Sequence, residues 1–476
     1  MASFLTNKFW RKPPRSKHSP ISPSMSQPTN GQISSQPVTL AIIGCGQRGK
    51  GYARHALSHP HECKVVAIAE PRPKTQRQFA DLHNVDQTLV FTTWQDLLAA
   101  SAETIATVGK RLADAVIIAV QDQMHAEVTL AFAEQGYHIL CEKPMAITID
   151  DCLRMERAIK RAGVIFGMVL RYSEYTKALS EIVHKKTLGD LVNIVHVEPV
   201  GYYHFAHSFV RGNWGVEGKS SFALMTKCCH DIDLLCHWFS STTPAKVSSF
   251  GSLTHFRKSS KPSQAGDVKR CIECPLQHDE CPYSATKIYL DALKSGTKSW
   301  PVSVLVDGIP DIENVTEALK TGPYGMCVYE SPNDVCDQQV VNIEFANGTT
   351  ASFTMVAYTS LICERQVRLH FSHGEIVGDM TKFTVTDFRT DTTREHAFQP
   401  MSGHGGGDLG LIKTFVEAVR QGKQELLGTD VEEVVKSHMT VFAAEASRKE
   451  GRVVDCAEFE RNAREKFDKE NPEKSA

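Results

Sequence analysis

The chain has 476 residues, of which 41% are hydrophobic and 23% charged, and its formal net charge is −2 at pH 7. This length exceeds one ordinary hydrophobic core and predicts two domains with appendages. The balanced charge indicates no nucleic-acid partner and no membrane-surface partner, and no apolar run approaches the ~20 residues that span a bilayer. The 14 scattered cysteines favour reduced thiols over a disulfide framework.

Residues 1–37 differ from the rest of the chain. They are rich in proline, serine and glutamine, which predicts a disordered tail. All charged side chains are basic until Glu62, a pattern that resembles a mitochondrial transit peptide. Pro13 and Pro14 interrupt any amphipathic helix there. We therefore expect a cytoplasmic protein, with mitochondrial import as the alternative.

Residues 38–170 alternate short apolar runs with helical patterns, which predicts a doubly wound α/β domain. The runs are continuously apolar, as parallel strands buried on both faces are. Between the last two runs, Thr148 can cap a helix that Gly163 ends. The predicted strands are 38–43, 64–69, 114–120, 137–141 and 164–170.

The pattern changes in residues 171–460, which we predict to be an α+β domain with a large, mainly antiparallel open sheet. Extended runs flank Asn347-Gly348 and His373-Gly374, and the first pair marks a hairpin because both residues accept positive φ. A Pro- and Cys-rich insertion, closing helices and a polar tail are predicted at 255–335, 408–450 and 461–476.

A glycine-rich segment joins the first predicted strand to a helix. Gly44, Gly46 and Gly49 follow the spacing G-x-G-x-x-G, and Glu70 ends the second strand. In this context the glycines permit a tight turn and close approach of a pyrophosphate, while the acid accepts ribose hydroxyls. The sequence therefore predicts a dinucleotide site that favours NAD, and Arg72 keeps NADP as an alternative.

Two further predicted strands end in polar segments, QDQMH at 121–125 and EKPMA at 142–146. Ligands of open α/β sheets bind at this edge of the sheet. The Lys143 ammonium can hold a substrate hydroxyl and the alkoxide that forms from it. A surface Glu-Lys pair before a turn is the alternative interpretation.

Taken together, the glycine motif, Glu70, His125 and EKP resemble the glucose–fructose oxidoreductase/inositol dehydrogenase/rhizopine-catabolism (Gfo/Idh/MocA) family. The segments LRY at 170–172 and FANGTTASF extend the resemblance over about residues 38–460. It implies a Rossmann domain, a second domain whose open sheet forms a homodimer or homotetramer, and a cis bond before Pro144. It also implies hydride transfer between a nicotinamide and a sugar or cyclitol hydroxyl.

The resemblance also implies which residues bind the cofactor. They are Gly44, Gly46, Gln47, Arg48, Gly49, Glu70, Arg72, Gln121, His125, Glu142, Lys143 and Arg171.

Residues 220–239 correspond to the family's catalytic stretch, in which His230 and Asp233 match. Positions 226, 230 and 233 share one helical face. With Lys143, these residues form the implied catalytic set, and His230 is the general base because its ordinary pKa of ~6.5 lies near working pH.

The chain departs from the family pattern at Thr226, where many members carry an aspartate. Three explanations are open. Asp231 or Asp233 substitutes for the missing carboxylate, Lys227 joins the site, or the chemistry differs from simple oxidation.

Aromatic and imidazole groups are dense in residues 201–215. Rings can stack on the C–H faces of a sugar while polar donors bind its hydroxyls; an aromatic cluster under a loop is the alternative. The candidate substrate residues, including two from the catalytic stretch, are Tyr203, His207, Trp214, Thr226 and Lys227.

The insertion contains Cys271, Cys274 and Cys281, with His278 between the last two. A C-x-x-C pair chelates zinc, and a third cysteine plus a histidine can complete a tetrahedral site. Structural zinc is therefore a candidate, alongside a redox pair or simply buried thiols.

Three functions fit these patterns. The first is an NAD(P)-dependent oxidoreductase acting on a sugar, sugar derivative or cyclitol. The second is an NAD-dependent glycosidase or epimerase-like enzyme with an internal redox cycle. The third is a dinucleotide-binding regulator without activity, against which the retained Lys143, His230 and Asp233 argue.

Overall fold

The computed structural model describes residues 36–168, 171–399 and 405–472. The described residues form two sheets with helices packed around them. The residues of the predicted tail, 1–35, lie outside the described part of the chain, as do 169–170 at the end of a predicted strand.

The first sheet is the predicted parallel one. Its strands are β1 (Val38–Ile43), β2 (Cys63–Ala69), β3 (Val90–Phe91), β4 (Ala115–Ile118), β5 (His138–Cys141) and β6 (Phe166–Gly167). In the described residues they run in the order β3-β2-β1-β4-β5-β6, and every pair is parallel. The order reverses direction between β1 and β4, which is where ligands of such sheets bind.

Five helices cover the faces of this sheet. They are α1 (Gln47–Ser58), α2 (Pro73–His83), α3 (Trp94–Val108), α4 (His125–Glu134) and α5 (Ile149–Ala162). The predicted caps of α5 are confirmed, because the Thr148 hydroxyl accepts a hydrogen bond from the Asp151 backbone N–H (3.1 Å) and Gly163 ends the helix with φ +62°.

The second sheet is mainly antiparallel, as predicted. Its strands are β7 (Leu191–Pro199), β8 (Pro244–Ser252), β9 (Gln338–Phe345), β10 (Thr350–Val356), β11 (Gln366–Phe371), β12 (Gly374–Gly378), β13 (Lys382–Asp387), β14 (Thr392–Ala397) and β15 (Val454–Asp455). Within the described residues their order is β14-β13-β12-β11-β7-β10-β9-β8-β15, and only β7 and β10 pair in parallel.

Both predicted hairpins are present, β9–β10 and β11–β12. In the first turn only Gly348 takes positive φ (+84°), although both residues of the pair accept it. The loop spans four residues and is closed by hydrogen bonds from Gly348 N to Phe345 O (2.8 Å) and from Phe345 N to Thr349 O (2.9 Å). A four-residue loop needs only one left-handed residue.

Helices of the second half pack against the second sheet, within the insertion and, for Gly407–Gln421, against α1 and the first sheet. They are α6 (Glu174–His184), α7 (Tyr202–Phe205), α8 (Ala223–Trp238), α9 (Ala292–Lys294), α10 (Ile312–Thr321), α11 (Gly407–Gln421), α12 (Val431–Glu450) and α13 (Cys456–Glu470). Helix α12 contacts both α8 and β8. Residues 461–470, predicted as a polar tail, instead belong to α13, which is anchored by the buried ring of Phe467.

Candidate functional site

The glycine motif forms a tight loop between β1 and α1. Gly44 has φ +90°, and a side chain there would collide with the Ala119 carbonyl oxygen. A side chain at Gly49 would collide with the Gly44 carbonyl oxygen. Gly46 caps α1 without a side-chain hydrogen bond, and no acid lies in the first turn. The loop therefore has the shape and free N–H groups that a dinucleotide phosphate requires.

Glu70 lies directly after β2 and is 2% exposed. Its carboxylate accepts hydrogen bonds from Cys45 N (2.8 Å) and from Arg72 Nε (2.7 Å). Burial raises the pKa of Glu70, but these bonds outweigh it and hold the pKa below its ordinary value. An ionised acid and an arginine thus occupy the position expected to contact the cofactor ribose.

Arg48 and Glu142 contact each other at the start of α1. Arg48 Nε donates to Glu142 Oε1 (2.7 Å), and its terminal nitrogens form a bidentate pair with Asp408 on α11 (2.6 and 2.7 Å). Gln47 Nε2 donates to Ser303 Oγ (2.7 Å). These predicted cofactor residues therefore connect the loop to the second half of the chain.

His125 is fully buried and links two strand ends. Its Nδ1 lies 2.7 Å from Pro144 O, and its Nε2 lies 3.3 Å from Val120 O. The bond between Lys143 and Pro144 is cis, as the resemblance implies. His125 thus holds the Lys143 segment in place, whereas Gln121 is exposed and accepts a hydrogen bond from Gln123.

Lys143 is brought to the N-terminal half of α8. Its ammonium donates to the backbone carbonyl of Thr226 (2.5 Å) and lies 5.9 Å from the centroid of the Trp214 ring. Trp214 is held in turn by a hydrogen bond from its Nε1 to Asp122 Oδ2 (2.7 Å). The structure thus joins three predicted site residues from distant segments: Lys143, Trp214 and Thr226.

His230 lies one turn after Thr226 and is 4% exposed. Its Nε2 contacts the guanidinium of Arg365 and lies 3.3 Å from Asp231 Oδ2. These neighbours favour different tautomers, because a guanidinium only donates hydrogen bonds and a carboxylate only accepts them. Arg365 favours a bare Nε2, while Asp231 favours Nε2–H and leaves Nδ1 as the basic nitrogen.

Asp231 is fully buried and accepts hydrogen bonds from Arg365 Nε (2.6 Å) and from His196 (2.9 Å). Burial raises the pKa of Asp231, but Arg365, His230 and His196 outweigh it and hold the pKa well below its ordinary value. The carboxylate is therefore ionised beside the His230 ring.

Asp233 faces a different partner. Arg171 binds both of its carboxylate oxygens, with Nε to Oδ2 at 2.7 Å and Nη2 to Oδ1 at 2.6 Å. Both residues are at least nine-tenths buried. Of the two acids considered as substitutes for the carboxylate missing at Thr226, Asp231 is the one in contact with His230.

Lys227 belongs to a buried group of charges beside α8. Its ammonium lies 3.1 Å from Glu198 Oε1 and 2.9 Å from Cys363 Sγ. Glu198 also pairs with Arg365 (2.9 Å), which contacts His230. Lys227 is thus connected to the proposed base through Glu198 and Arg365. Sequence reasoning missed Glu198 and Arg365, because neither lies in a motif.

Two further candidate substrate residues, Tyr203 and His207, both contact the ring of Trp300. His207 is buried, with Nδ1 2.8 Å from Tyr289 Oη and its ring stacked on Tyr324. Tyr203 is half-buried and packs against Trp300. His207 therefore belongs to the packing of the insertion, and the Thr226 hydroxyl points back to carbonyl groups of its own helix.

Cys271, Cys274 and Cys281 line one small cavity in the insertion. Among the described residues, no three His, Cys, Asp or Glu side chains already stand in metal-binding geometry. His278, the expected fourth ligand, instead places Nδ1 2.7 Å from Asp291 Oδ2 and does not line this cavity.

Two family models match the chain. "Oxidoreductase family, NAD-binding Rossmann fold" matches residues 38–170, and "Oxidoreductase family, C-terminal alpha/beta domain" matches residues 185–456. The chain therefore belongs to the Gfo/Idh/MocA family of NAD-binding oxidoreductases, which confirms the resemblance and the fold class.

Individual relatives are distant. The 2,7-anhydro-N-acetylneuraminate hydratase of Escherichia coli K12 is 25% identical over 220 residues, which are 46% of this chain and 54% of that protein. An inositol 2-dehydrogenase/D-chiro-inositol 3-dehydrogenase of Shouchella clausii is 26% identical over 208 residues, 42% of this chain and 52% of that protein. The chain thus spans about half the length of the curated relatives it matches.

Solved structures share the fold. A levoglucosan dehydrogenase in complex with NADH and levoglucosan has a TM-score of 0.62 at 17% identity, covering 88% of this chain and 100% of that one. A putative myo-inositol dehydrogenase from Sinorhizobium meliloti 1021 has a TM-score of 0.57 at 14% identity, covering 88% and 99%. In the described ranges, no helix is long and apolar enough to cross a membrane.

Proposed function

We propose that this chain is an NAD(P)-dependent oxidoreductase that transfers a hydride between nicotinamide and a hydroxyl of a sugar, sugar derivative or cyclitol. The observation that carries this proposal is the position of Lys143. Its ammonium lies at the carboxyl end of β5, against α8, one helical turn before His230. A charged donor and a titratable base at the ligand-binding edge of the sheet suit alcohol oxidation.

The chain's own side chains have distinct roles in this reaction. Lys143 donates a hydrogen bond to the substrate oxygen and stabilises negative charge on it. His230 accepts the hydroxyl proton, and the charge of Asp231, whose Oδ2 lies 3.3 Å from His230 Nε2, stabilises the imidazolium. Bound nicotinamide supplies the hydride acceptor.

A carbohydrate or cyclitol is the proposed small-molecule substrate. The Trp214 ring, fixed by Asp122 and lying beside Lys143, offers an apolar face for substrate C–H groups. The printed names of two matched proteins, an inositol dehydrogenase and a levoglucosan dehydrogenase, are consistent with this class.

NAD is the proposed cofactor, because ionised Glu70 suits ribose hydroxyls and repels a 2′-phosphate. NADP is the alternative, since the Arg72 guanidinium neutralises part of that charge. The proposed hydride chemistry needs no metal, so any zinc on this chain is structural.

The location and assembly of the chain are also proposals. We place it in the cytoplasm, with mitochondrial import as the alternative, and we expect a homodimer or homotetramer that forms through the second sheet. Strand residues on its outer side, such as Val192 and Val195, are exposed in the single chain. Light scattering of the purified protein measures this assembly.

One observation favours a second reaction type. Lys143 is bonded to the backbone carbonyl of Thr226, at the position where many family members carry an aspartate. A matched relative is named a hydratase, a class with no net oxidation. An internal redox cycle, in which the cofactor is regenerated in each turnover, is therefore the alternative activity. A regulator without activity is the third.

A substrate panel separates these functions. The protein is incubated with NAD or NADP and with cyclitols, free sugars and glycosides, while nicotinamide absorbance and product mass are followed. We expect NADH with an oxidised product, and at least a hundredfold loss of rate in Lys143→Ala. Altered sugar without NADH supports the internal cycle. Cofactor binding without any product supports the regulator.

A further inference from the structure

A small cavity inside the insertion is lined by four cysteines. Cys271, Cys274 and Cys281 come from one short segment, and Cys327 comes from a distant part of the insertion. The cavity volume is about 20 Å³, close to that of a single water-sized sphere. The space suits one small ion.

Backbone pairing brings the fourth cysteine to the other three. Arg270 forms an antiparallel bridge with Met326, and Cys327 N donates to Lys269 O (2.8 Å). Arg270 and Met326 directly precede Cys271 and Cys327, so their pairing brings these two cysteines close together. The cluster is therefore a product of the fold, because the local C-x-x-C motif contains no signal for Cys327.

The cavity wall carries a positive charge suited to thiolates. Arg211 is 4% exposed and donates from Nη2 to Cys271 Sγ (3.3 Å) and to Tyr283 O (2.7 Å). The buried Ser284 hydroxyl, which also lines the cavity, has no hydrogen-bond partner within the described part of the chain. A buried hydroxyl without a partner is costly, so this group and the Arg211 charge point to a polar, anionic centre.

Two of the sulfurs interact with nearby backbone donors. The backbone N–H groups of Tyr283 and Tyr329, each two residues further along, hydrogen-bond the sulfurs of Cys281 and Cys327. Hydrogen bonds of this kind stabilise metal-bound ligands from outside the coordination sphere.

We propose that Cys271, Cys274, Cys281 and Cys327 bind one Zn²⁺ ion that cross-links the two ends of the insertion. Each thiol releases its proton when the ion binds, so four thiolates and Zn²⁺ give a centre of charge −2, which Arg211 partly neutralises. The thiols move inward to reach the ion, since they do not stand in metal-binding geometry in the described structure. Cys327 replaces His278 as the fourth ligand.

This ion has a structural consequence near the proposed active site. Arg211 contacts both ends of the insertion, through Met326 O (2.7 Å) and Tyr283 O (2.7 Å), and Trp214 follows it by three residues. The cross-link therefore supports the loop that presents Trp214. The zinc proposal does not depend on the proposed reaction, because metal content is measured without substrate.

The test is metal analysis of the full-length chain purified without a metal-affinity column. We expect one zinc per chain by plasma mass spectrometry, released by a thiol-blocking mercurial. Cys271→Ser and Cys327→Ser are each expected to lose at least nine-tenths of it. Two control variants are expected to keep it: Cys336→Ser, a buried cysteine outside the cavity, and His278→Ala.

Cobalt substitution in the wild-type protein tests the site without relying on variants, which can lose zinc simply because they do not fold. Co²⁺ added to zinc-depleted wild-type protein is expected to give the charge-transfer and d–d absorption of a tetrahedral tetrathiolate site. Full zinc in Cys327→Ser, zinc lost in His278→Ala, bound iron, a disulfide among the four cysteines, or no metal above background would each overturn the proposal.

Discussion

At the residue scale, the carboxylate that contacts the proposed base, His230, is Asp231 and not Asp233. Asp231 lies 3.3 Å from His230 Nε2, whereas Asp233 is held by Arg171 on both oxygens. We propose that Asp231, next to His230 on the same helix, takes the part of the aspartate that many family members carry at position 226. This arrangement leads to a prediction about the pH profile.

Asp231→Asn removes the charge that stabilises protonated His230, so the base becomes weaker. We expect the acidic limb of the kcat/KM pH profile to move to lower pH by about one unit, with kcat lowered roughly tenfold or more. The profile is measured by initial rates on the active substrate of the panel.

Asp233→Asn is the matched control, because it also loses a buried ion pair but one outside contact with His230. Its acidic limb is expected to stay in place, and thermal melting of both variants reports folding. Equal shifts in the two variants would show that Asp231 has no special role at His230.

The residues found from the sequence and those missed differ in a physical way. Lys143 and His230 stand in local motifs, so their spacing alone identifies them. Arg365 reaches His230 across 135 positions of the chain, and no local pattern records such a contact. His207 has the right chemistry in the right segment, yet the fold buries it against Tyr289.

At the element scale, the end of β2 carries the cofactor preference. Glu70 and Arg72 form an ion pair there, and Arg72 Nη2 lies 3.6 Å from the place a side chain would take at Gly46. The two charges favour different groups at the 2′ position of the ribose. Glu70 favours the hydroxyl of NAD, and Arg72 favours the phosphate of NADP.

Arg72→Ala is expected to weaken NADP binding by about tenfold and to leave NAD binding within about twofold, whereas Glu70→Ala weakens NAD binding by about tenfold. Titration calorimetry with each cofactor measures these affinities. Arg77→Ala, an exposed arginine on α2, is the control and is expected to change neither. Equal losses for both cofactors in Arg72→Ala would contradict the assignment.

Helices, strands and hairpins were predictable where interactions between residues close in sequence determine them. The caps of α5 and the long apolar strands read directly from the sequence, as did both hairpins. Strand β3 has two residues, too few to form a pattern, and it exists because β2 offers it an edge. The amphipathic pattern of α13 was hidden by its high charge, since one buried ring, Phe467, anchors it.

At the scale of the whole molecule, charged side chains of the first half of the chain bind groups in the second half, in contacts that no single segment contains. Arg48 joins α1 to Asp408 on α11, and Lys143 joins β5 to α8. The order of strands in each sheet follows general rules for parallel and antiparallel connections. The contacts between the two halves depend on tertiary packing, so the fold class was predictable and the assembled site was not.

Buried histidines make the stability of the whole chain depend on pH. Burial lowers the pKa of His138 to about 4 and those of His207 and His237 to about 3. Because these values lie below the ordinary 6.5, the unfolded chain binds more protons in acid. The stabilisation is complete above pH 6.5 and is lost as the pH falls towards the folded values.

Each such histidine is expected to lower the free energy of unfolding by about 1.4 kcal/mol between pH 7.5 and 5.5. Urea denaturation at both pH values measures the change in the free energy of unfolding. In His207→Asn this change is expected to be smaller by the contribution of one histidine. Asp231 and Asp233 add little in this window, since their pKa values lie below 3.8 and both stay ionised. A wild-type stability that does not change between the two pH values would contradict neutral burial, because the lowered pKa values of His138, His207 and His237 outnumber the raised pKa of His125, which acts in the opposite direction.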